Sequence, residues 1–574
     1  TKTGFEILQV ALILGVLGDI LLRATPWGLN VLLFNSAFAA GMIMILYRRA
    51  PELMTKQTIA LFGALIFFAS MFAWRDAIEL RIADTFAIIA ILSVLFLPKM
   101  KVTTQIAGVF HYGAAFLWSS FNAAFGTGVL LGSDITWKNL PKDGWRKHTF
   151  SVARGLAIAA PLVLIFGGLF MAADAAYEGW VQRVFNIKPE IVFTHVLLFS
   201  LFSWMSAGYL RGVIINGTDP VGDQQGPAKE ESDPNISPVD NMRAETGENA
   251  SGLPNNMSIL EHINISDAPH VAEPAKEDKK AAKPWEWANI DNTMMPPVFT
   301  LGAVEVGVIL GIVNLLFLSF VIVQVPYLFG GMDLVQNTPD FKLAEYARRG
   351  FGELVTVSAL VLPMLLTSHW LIRKENPFAE KLFRVLAGVQ IALLFVIMAS
   401  AVQRLVLLTG NLGYGLTTVR LYPMIFMVWL AVVFVWFGAT VLRGTRQHFA
   451  WGALWSAFLI LGATHVLNPD EFIVKTNIAL MKQGRDFDAR YNSNLSDDAL
   501  PVLINSFVEL DENAQRIVLR SLAGRNCRKH VENDLRNLNY SRERASEALW
   551  PYNDTLAQQV PKCSSDEPNN LATE

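Results

Sequence analysis

The chain has 574 residues, of which 52% are hydrophobic and 17% are charged, and its formal net charge is −3. Soluble proteins carry about 25% charged residues, and a soluble chain of this composition could not bury so much apolar surface. The small net charge and the lack of a Lys/Arg block exclude a nucleic acid as partner. The composition therefore indicates an integral membrane protein, with the lipid bilayer as its main partner.

Apolar stretches near the ~20 residues needed to cross a bilayer recur along most of the chain. They predict an all-α polytopic transmembrane helix bundle of about eleven spans, at 5–22, 27–47, 57–74, 84–98, 151–174, 190–211, 298–324, 351–372, 381–403, 421–442 and 448–467. The first run has neither a basic n-region nor a cleavage site, so we interpret it as a retained helix rather than a signal peptide. Residues 102–132 are apolar but interrupted by His111, Asn122 and several glycines, which predicts a re-entrant or interfacial helix.

The Lys and Arg residues of the short loops predict the orientation of the bundle. They all fall on one side if residues 102–132 do not cross: Arg48, Arg49, Lys56, Lys99, Lys101, Lys138, Lys142, Arg146, Lys147, Arg373, Lys374, Lys381, Arg443 and Arg446. That side is predicted to be cytoplasmic, which places the N-terminus inside and the C-terminal tail outside.

Composition and periodicity divide the chain into five regions. They are N-terminal spans plus the re-entrant segment (1–132), two further spans (133–215), a disordered acidic cytoplasmic loop (216–291), a five-helix core (292–467) and an extracytoplasmic tail (468–574). Apolar residues recur at helical spacing in the tail, so we predict that it is a small α-helical domain. Both cysteines, Cys527 and Cys563, lie there, and the sequence leaves open whether they form a disulfide or stay as two thiols.

Ionisable residues at membrane depth are costly and each needs a reason. The predicted spans contain four of interest: Asp19, Asp174, His195 and Glu305. Asp19 and Arg23 have the spacing of an i,i+4 pair that reaches the interface. Glu305 is the most isolated, and it is either a proton or cation site or a hydrogen-bonded structural carboxyl.

A second group of polar residues collects at the predicted outer ends of the last four spans. Its members are Glu345, Arg348, Arg349, Glu353, Arg404, Tyr414, Arg420, Tyr422, His465, Asn468 and Asp470. Such a set would suit an anionic lipid headgroup, a lipid-linked phosphate or a carboxylate. The alternative is a charged rim that holds the helix ends together and docks the tail.

Short catalytic motifs are missing from the sequence. There is no Walker A run, no G-x-S-x-G, no H-E-x-x-H and no metal-spaced cysteine set. We therefore predict no cofactor and no metal, name no catalytic residue, and leave open whether the protein is an enzyme.

Three motif regions carry a resemblance to a known family. They are Tyr346-Ala-Arg-Arg-Gly-Phe, then Gly413-Tyr-Gly-Leu-Thr with Arg420-Leu-Tyr422, and Leu467-Asn-Pro-Asp470 followed by Asn477. On these motifs the C-terminal half resembles a bacterial family of multi-pass inner-membrane proteins classified only as a domain of unknown function. The resemblance implies a bacterial inner-membrane location but supplies no reaction.

Three functions remain open from the sequence. The first is a regulator or scaffold of envelope processes that binds a lipid headgroup or other membrane proteins through its outer rim and tail. The second is an ion- or proton-coupled transporter in which Glu305, His195 and Arg404 line a path. The third is an outer-face transferase acting on a lipid-linked substrate, similar in architecture to polyprenyl-phosphate-dependent glycosyltransferases. Those enzymes keep an acidic motif in a long first outer loop, whereas here that loop is only Arg23 to Trp27.

Overall fold

A computed structural model of the chain describes residues 2–135, 189–215, 300–329, 351–372, 377–406, 409, 415–529, 534–552 and 556. These ranges belong to one compact unit that takes in residues 1–215 and 287–574. Their secondary structure is helical, apart from one β-bridge between Leu301 and Ile372. The predicted span 151–174 and the predicted acidic loop 216–291 lie outside the described residues.

Eleven helices in the described part are long and apolar enough to cross a membrane, which confirms the all-α polytopic bundle. They are α1 (Lys2–Leu22), α2 (Leu29–Arg49), α3 (Lys56–Trp74), α4 (Ile78–Val94), α5 (Val109–Val129), α6 (Pro189–Ile214), α7 (Ala303–Phe329), α8 (Phe351–Leu371), α9 (Pro377–Val406), α10 (Thr418–Thr440) and α11 (Phe449–Leu467). Ten coincide with predicted spans, and the eleventh is α5. α4 begins six residues before the predicted span at 84, so it also includes Arg81.

Two apolar cores hold the bundle together. One is built from α1 to α6, and the other from α7 to α10. α11 joins the first core through Phe458, and the centroids of the Phe458 and Phe68 rings lie 5.1 Å apart. α11 also packs beside α10. Other large apolar side chains, such as Ile312 and Leu315 of α7, are exposed on the outside of the bundle. Such side chains face lipid, because a membrane-spanning helix gains nothing by hiding them from hydrocarbon.

The C-terminal end of α5 contacts α6 and α1. The Asp134 carboxylate, just beyond the helix, pairs with Arg211 near the end of α6 at 2.5 Å, and Ile135 packs at Gly4 near the start of α1. Since α1 to α4 are joined by short turns, α4 also ends on the side where α1 starts. The re-entrant or interfacial course of residues 102–132 stays a prediction.

The tail continues directly from the bundle as five short helices, α12 (Pro469–Lys482), α13 (Ala489–Ser493), α14 (Leu500–Asn505), α15 (Glu512–Lys529) and α16 (Tyr540–Leu549). Their apolar residues form a third core, which also takes in Leu416 and Leu421 from the start of α10. The tail thus completes its core with residues of the bundle. We call the end of the bundle that it contacts the tail face.

Backbone atoms of the tail lie directly against the turn between α1 and α2. The Leu29 amide donates to the carbonyl oxygen of Leu538 at 2.9 Å. A Cβ at Gly28 would overlap with that same carbonyl oxygen and would lie 2.9 Å from the carbonyl oxygen of Asn537. Glycine is therefore required at this position by the close approach of the two backbones.

We expect Gly28→Val to weaken tail docking, because backbone atoms cannot move aside as a flexible side chain could. Overpacking of this kind costs about 2 kcal/mol, which should appear as a lower thermal midpoint in detergent and faster protease cleavage of the tail. Gly63→Ala in α3 is the matched control, since no atom lies within 4 Å of its added Cβ. A docked, protease-resistant tail in Gly28→Val would contradict the close approach.

Candidate functional site

The Asp498 carboxylate is the centre of the contact between tail and bundle. It accepts hydrogen bonds from the backbone amides of Asp76 and Ala77 at 2.7 and 3.0 Å, in the turn between α3 and α4. Its other oxygen pairs with the Arg75 guanidinium at 3.3 Å and accepts the Ser541 hydroxyl. Asp498 is buried, so each of these bonds replaces one that water would otherwise make.

Asp76 forms a second charged contact in the same turn. Its carboxylate accepts from Arg81 of α4 at 2.5 Å and from Arg542 of α16 at 2.9 Å. Burial raises the pKa of Asp76, while the two guanidinium groups act in the opposite direction. Arg542 also donates to the carbonyl oxygen of Trp27, so one arginine of the tail joins two interhelical turns of the bundle.

A histidine–carboxylate pair connects α4 to α11 below these turns. His465 Nε2 lies 2.9 Å from Asp84 Oδ1, and both side chains are fully buried. The backbone carbonyl of His465 accepts from Arg75 Nε at 2.9 Å, which links the pair to the Asp498 contact. Breaking a buried pair of this kind leaves one polar group without compensation, so it fixes how α4 and α11 sit beside each other.

The corner between α11 and α12 positions the next polar group, the carboxylate of Asp470. Asn468 adopts a left-handed backbone conformation with φ of 54°, which asparagine tolerates, and Pro469 begins α12. In the first turn of α12, Asp470 accepts from the Ser496 amide at 3.0 Å. Burial, with the nearby Glu79 and Asp498 carboxylates, raises the pKa of Asp470 to about 6, against the effect of the Ser496 bond.

The start of α10 is held to the tail by an amide side chain. Asn477 accepts from the Leu416 amide at 2.7 Å and donates to the Leu416 carbonyl at 3.0 Å, as a paired strand would. Arg420 donates to the carbonyl oxygen of Gly415, where φ is +70°. The Tyr422 hydroxyl is buried without a hydrogen-bond partner among the described residues.

An open groove of about 370 Å³ lies where α3 and α11 end and the tail begins. It is lined by Trp74, Arg75, Val466, Leu467, Asn468, Glu471, Phe472, Lys475, Tyr540 and Arg544. Aliphatic and aromatic side chains thus stand beside three cations and one carboxylate. A combination of this kind is typical of a protein surface at the level of lipid headgroups.

The structure brings together part of the predicted outer rim. Arg420, Tyr422, His465, Asn468 and Asp470 lie at the tail face, on the segments that contact the tail. Elsewhere, Glu353 is exposed in the first turn of α8 and Arg404 is buried in the last turn of α9. Outside the described residues lie Glu345, Arg348, Arg349 and Tyr414.

The predicted intramembrane residues have mixed surroundings. The Asp19 carboxylate lies 2.5 Å from His195 Nδ1, and Arg23 contacts the other ring nitrogen of that histidine. Glu305 is exposed in the first turn of α7, where a carboxylate is favoured by the helix dipole. Asp174 and Cys563 lie outside the described residues, and Cys527 belongs to α15, so the disulfide stays a prediction.

Sequence reasoning assigned no role to the residues that organise the tail face: Arg75, Asp76, Asp84, Asp498, Asn539, Ser541 and Arg542. Two signals were available. Asp84 is the first residue of the predicted span 84–98, and the structure places it well inside α4, which begins at Ile78. The short turn Arg75-Asp76-Ala77 places two charges between two spans, a pattern that needs partners from elsewhere in the chain.

Eleven apolar helices with a helical tail docked on one face define a multi-pass membrane protein. The chain belongs to the family described as a domain of unknown function (DUF4153), whose model matches residues 62–241 and 270–506. This membership confirms the kind of family expected from the motifs and extends the match well into the N-terminal half. Comparisons with curated proteins and with solved structures found no match.

The raised pKa of Asp470 predicts a pH-dependent stability. A carboxyl whose pKa is about 6 in the folded protein and about 3.9 unfolded stabilises the fold below pH ~4 and loses that contribution as the pH rises through 6. Asp470→Asn cannot ionise, so its stability relative to wild type should increase by up to about 3 kcal/mol between pH ~4 and pH ~7. Thermal unfolding in detergent at a series of pH values measures this difference.

Asp534→Asn is a control of opposite sign. A hydrogen bond from Arg536 lowers the pKa of Asp534. The stability that the Asp534 carboxylate gives to wild type should therefore be lost as the pH falls, not as it rises. A stability difference between Asp470→Asn and wild type that stays constant across this pH range would contradict a raised pKa of Asp470.

Proposed function

We propose that this protein is a regulator or scaffold of envelope processes in the bacterial inner membrane, with a cytoplasmic N-terminus and a periplasmic tail. The distribution of Lys and Arg in the short loops supports this orientation. The tail face then lies at the outer surface of the membrane, where it is available to envelope components.

The contact network at the tail face is the observation that carries the proposal. Asp498, Asp76 and Arg542 direct their bonds to one another and to backbone groups of the bundle turns. Buried polar networks of this kind rigidify and specify one arrangement. Side chains with this many partners within the protein serve to hold the tail in place, as a scaffold that presents a fixed surface requires.

Single apolar side chains on the tail offer positions at which this surface can be probed. Val508, Leu535 and Trp550 are each at least three-quarters exposed. A large exposed aromatic such as Trp550 is typical of side chains that anchor protein–protein contacts. The proposed binding surface therefore includes the solvent-facing side of the docked tail.

Cysteine labelling tests the orientation. With Cys527 and Cys563 replaced by serine, Val508→Cys should react with a membrane-impermeant maleimide in intact spheroplasts. Tyr47→Cys, exposed near the opposite end of α2, should react only after the membrane is permeabilised. The reverse pattern would place the tail in the cytoplasm and overturn the proposed location.

Photo-crosslinking in cells tests the scaffold role. A photoreactive amino acid at Val508, Leu535 or Trp550 should form discrete adducts with envelope proteins, and Asp498→Ala should abolish them. Removing one partner of a buried ion pair costs about 3–5 kcal/mol, enough to undock the tail. Glu509→Ala is the control, because its partner Lys482 and Glu509 itself are exposed, and such pairs contribute about 1 kcal/mol or less. Adducts absent at all three positions, or unchanged in Asp498→Ala, would contradict a docked scaffold.

A further inference from the structure

We propose that the groove at the end of α3 and α11 binds the headgroup of an anionic phospholipid that carries a hydroxyl group, with phosphatidylglycerol as the fitting chemistry. The inference rests on the proposed function in one respect, since it assigns a ligand to the same tail face. It concerns a lipid rather than a protein partner.

The position of the groove fits a lipid in the bilayer. Val466 and Leu467 end a membrane-spanning helix, and Phe472 follows on α12. Val466 is 72% exposed and lies on the same helical face as the exposed Leu459, seven residues earlier. This stripe runs from the groove into the hydrocarbon region, so an acyl chain can follow it while the headgroup occupies the groove.

The charges of the groove select an anion. Arg75 is paired with Asp498, and Lys475 lies 2.5 Å from Glu471. Arg544 stacks over the ring of Tyr540, with its guanidinium carbon 5.9 Å from the centroid, and has no carboxylate partner in the described part of the chain. An exposed guanidinium beside an ammonium group binds a phosphate through charge-assisted hydrogen bonds.

A buried acceptor in the groove selects a hydroxyl donor. Asn468 is only 5% exposed, and its Nδ2 donates to Glu471 at 2.6 Å, which fixes the orientation of the amide. Its Oδ1 is buried without a hydrogen-bond partner among the described residues. A headgroup hydroxyl that displaces the atoms covering this oxygen would satisfy it, whereas a phosphate alone would not, because both groups are acceptors.

The size of the groove is compatible with this occupant. Its volume of about 370 Å³ falls within the range of small-molecule sites, about 300–1,000 Å³. Trp74 and Tyr540 stand at its edges as amphipathic aromatics, which prefer the headgroup level of a membrane. The groove therefore combines an apolar wall, cations that can bind a phosphate and an acceptor for a hydroxyl group.

Lipid binding to the full chain in nanodiscs tests the proposal. Nanodiscs of phosphatidylcholine are doped with phosphatidylglycerol or with phosphatidylmethanol, which has the phosphate but no hydroxyl, and the lipids retained by the protein are counted by native mass spectrometry. We expect phosphatidylglycerol to be retained in preference to phosphatidylmethanol and phosphatidylcholine. Arg544→Gln should reduce this preference about tenfold, the loss expected for one charge-assisted hydrogen bond.

Arg516→Gln is the matched control, because Arg516 is an exposed arginine of the tail that does not line the groove. It should leave the preference unchanged. Equal retention of all three lipids, or an equal effect of both arginine variants, would overturn the proposal. Glycerol 1-phosphate that competes as well as the lipid would show that the site binds a free phosphate ester, which also overturns it.

The outcome is separable from that of the scaffold proposal. Nanodiscs expose both faces of the protein and contain no envelope proteins, so the lipid result depends neither on orientation in the cell nor on a protein partner. Protease resistance of the tail in Arg544→Gln confirms that the variant is docked, so a loss of lipid preference there reports on the groove.

Discussion

The buried carboxylate of Asp498 is the constraint on which the arrangement of tail and bundle depends. A buried charge is tolerated only when it is paired and fully hydrogen-bonded. Asp498 obtains its partners from the turn between α3 and α4 and from the first turn of α16, through Arg75, two backbone amides and Ser541. If any of these elements moved, a charge would be left without compensation, so the carboxylate holds them in one geometry.

The location of this network follows from the membrane. Polar groups within hydrocarbon are expensive, whereas the ends of the helices can share partners with a water-exposed domain. The tail therefore supplies hydrogen bonds to turns whose backbone groups it also covers, as Asn539 does for the carbonyl oxygens of Phe72 and Arg75. The pair of Asp84 and His465 lies within the spans, and both of its members are covered by neighbouring helices.

Two kinds of polar group coexist at the tail face and suggest different roles. Most of them, such as Asp76 and Arg542, have partners within the protein and serve to fix the tail. In the groove, by contrast, the guanidinium of Arg544 is exposed and stacks on Tyr540, and Asn468 Oδ1 is buried without a hydrogen-bond partner among the described residues. The sequence offered a docking rim and a headgroup site as alternatives, and we propose both roles at adjacent places on the tail face.

The sequence by itself determined the class of the protein and ten of the eleven long apolar helices described, because apolar runs of the right length have no other stable environment. It also identified the polar corner at Asn468 and Asp470, since an Asn-Pro-Asp turn after a span is a local signal. Only the tertiary structure decided which carboxylates matter. Asp498 and Arg75 are separated by more than 400 residues in the sequence, and no local pattern predicts that folding buries them against each other.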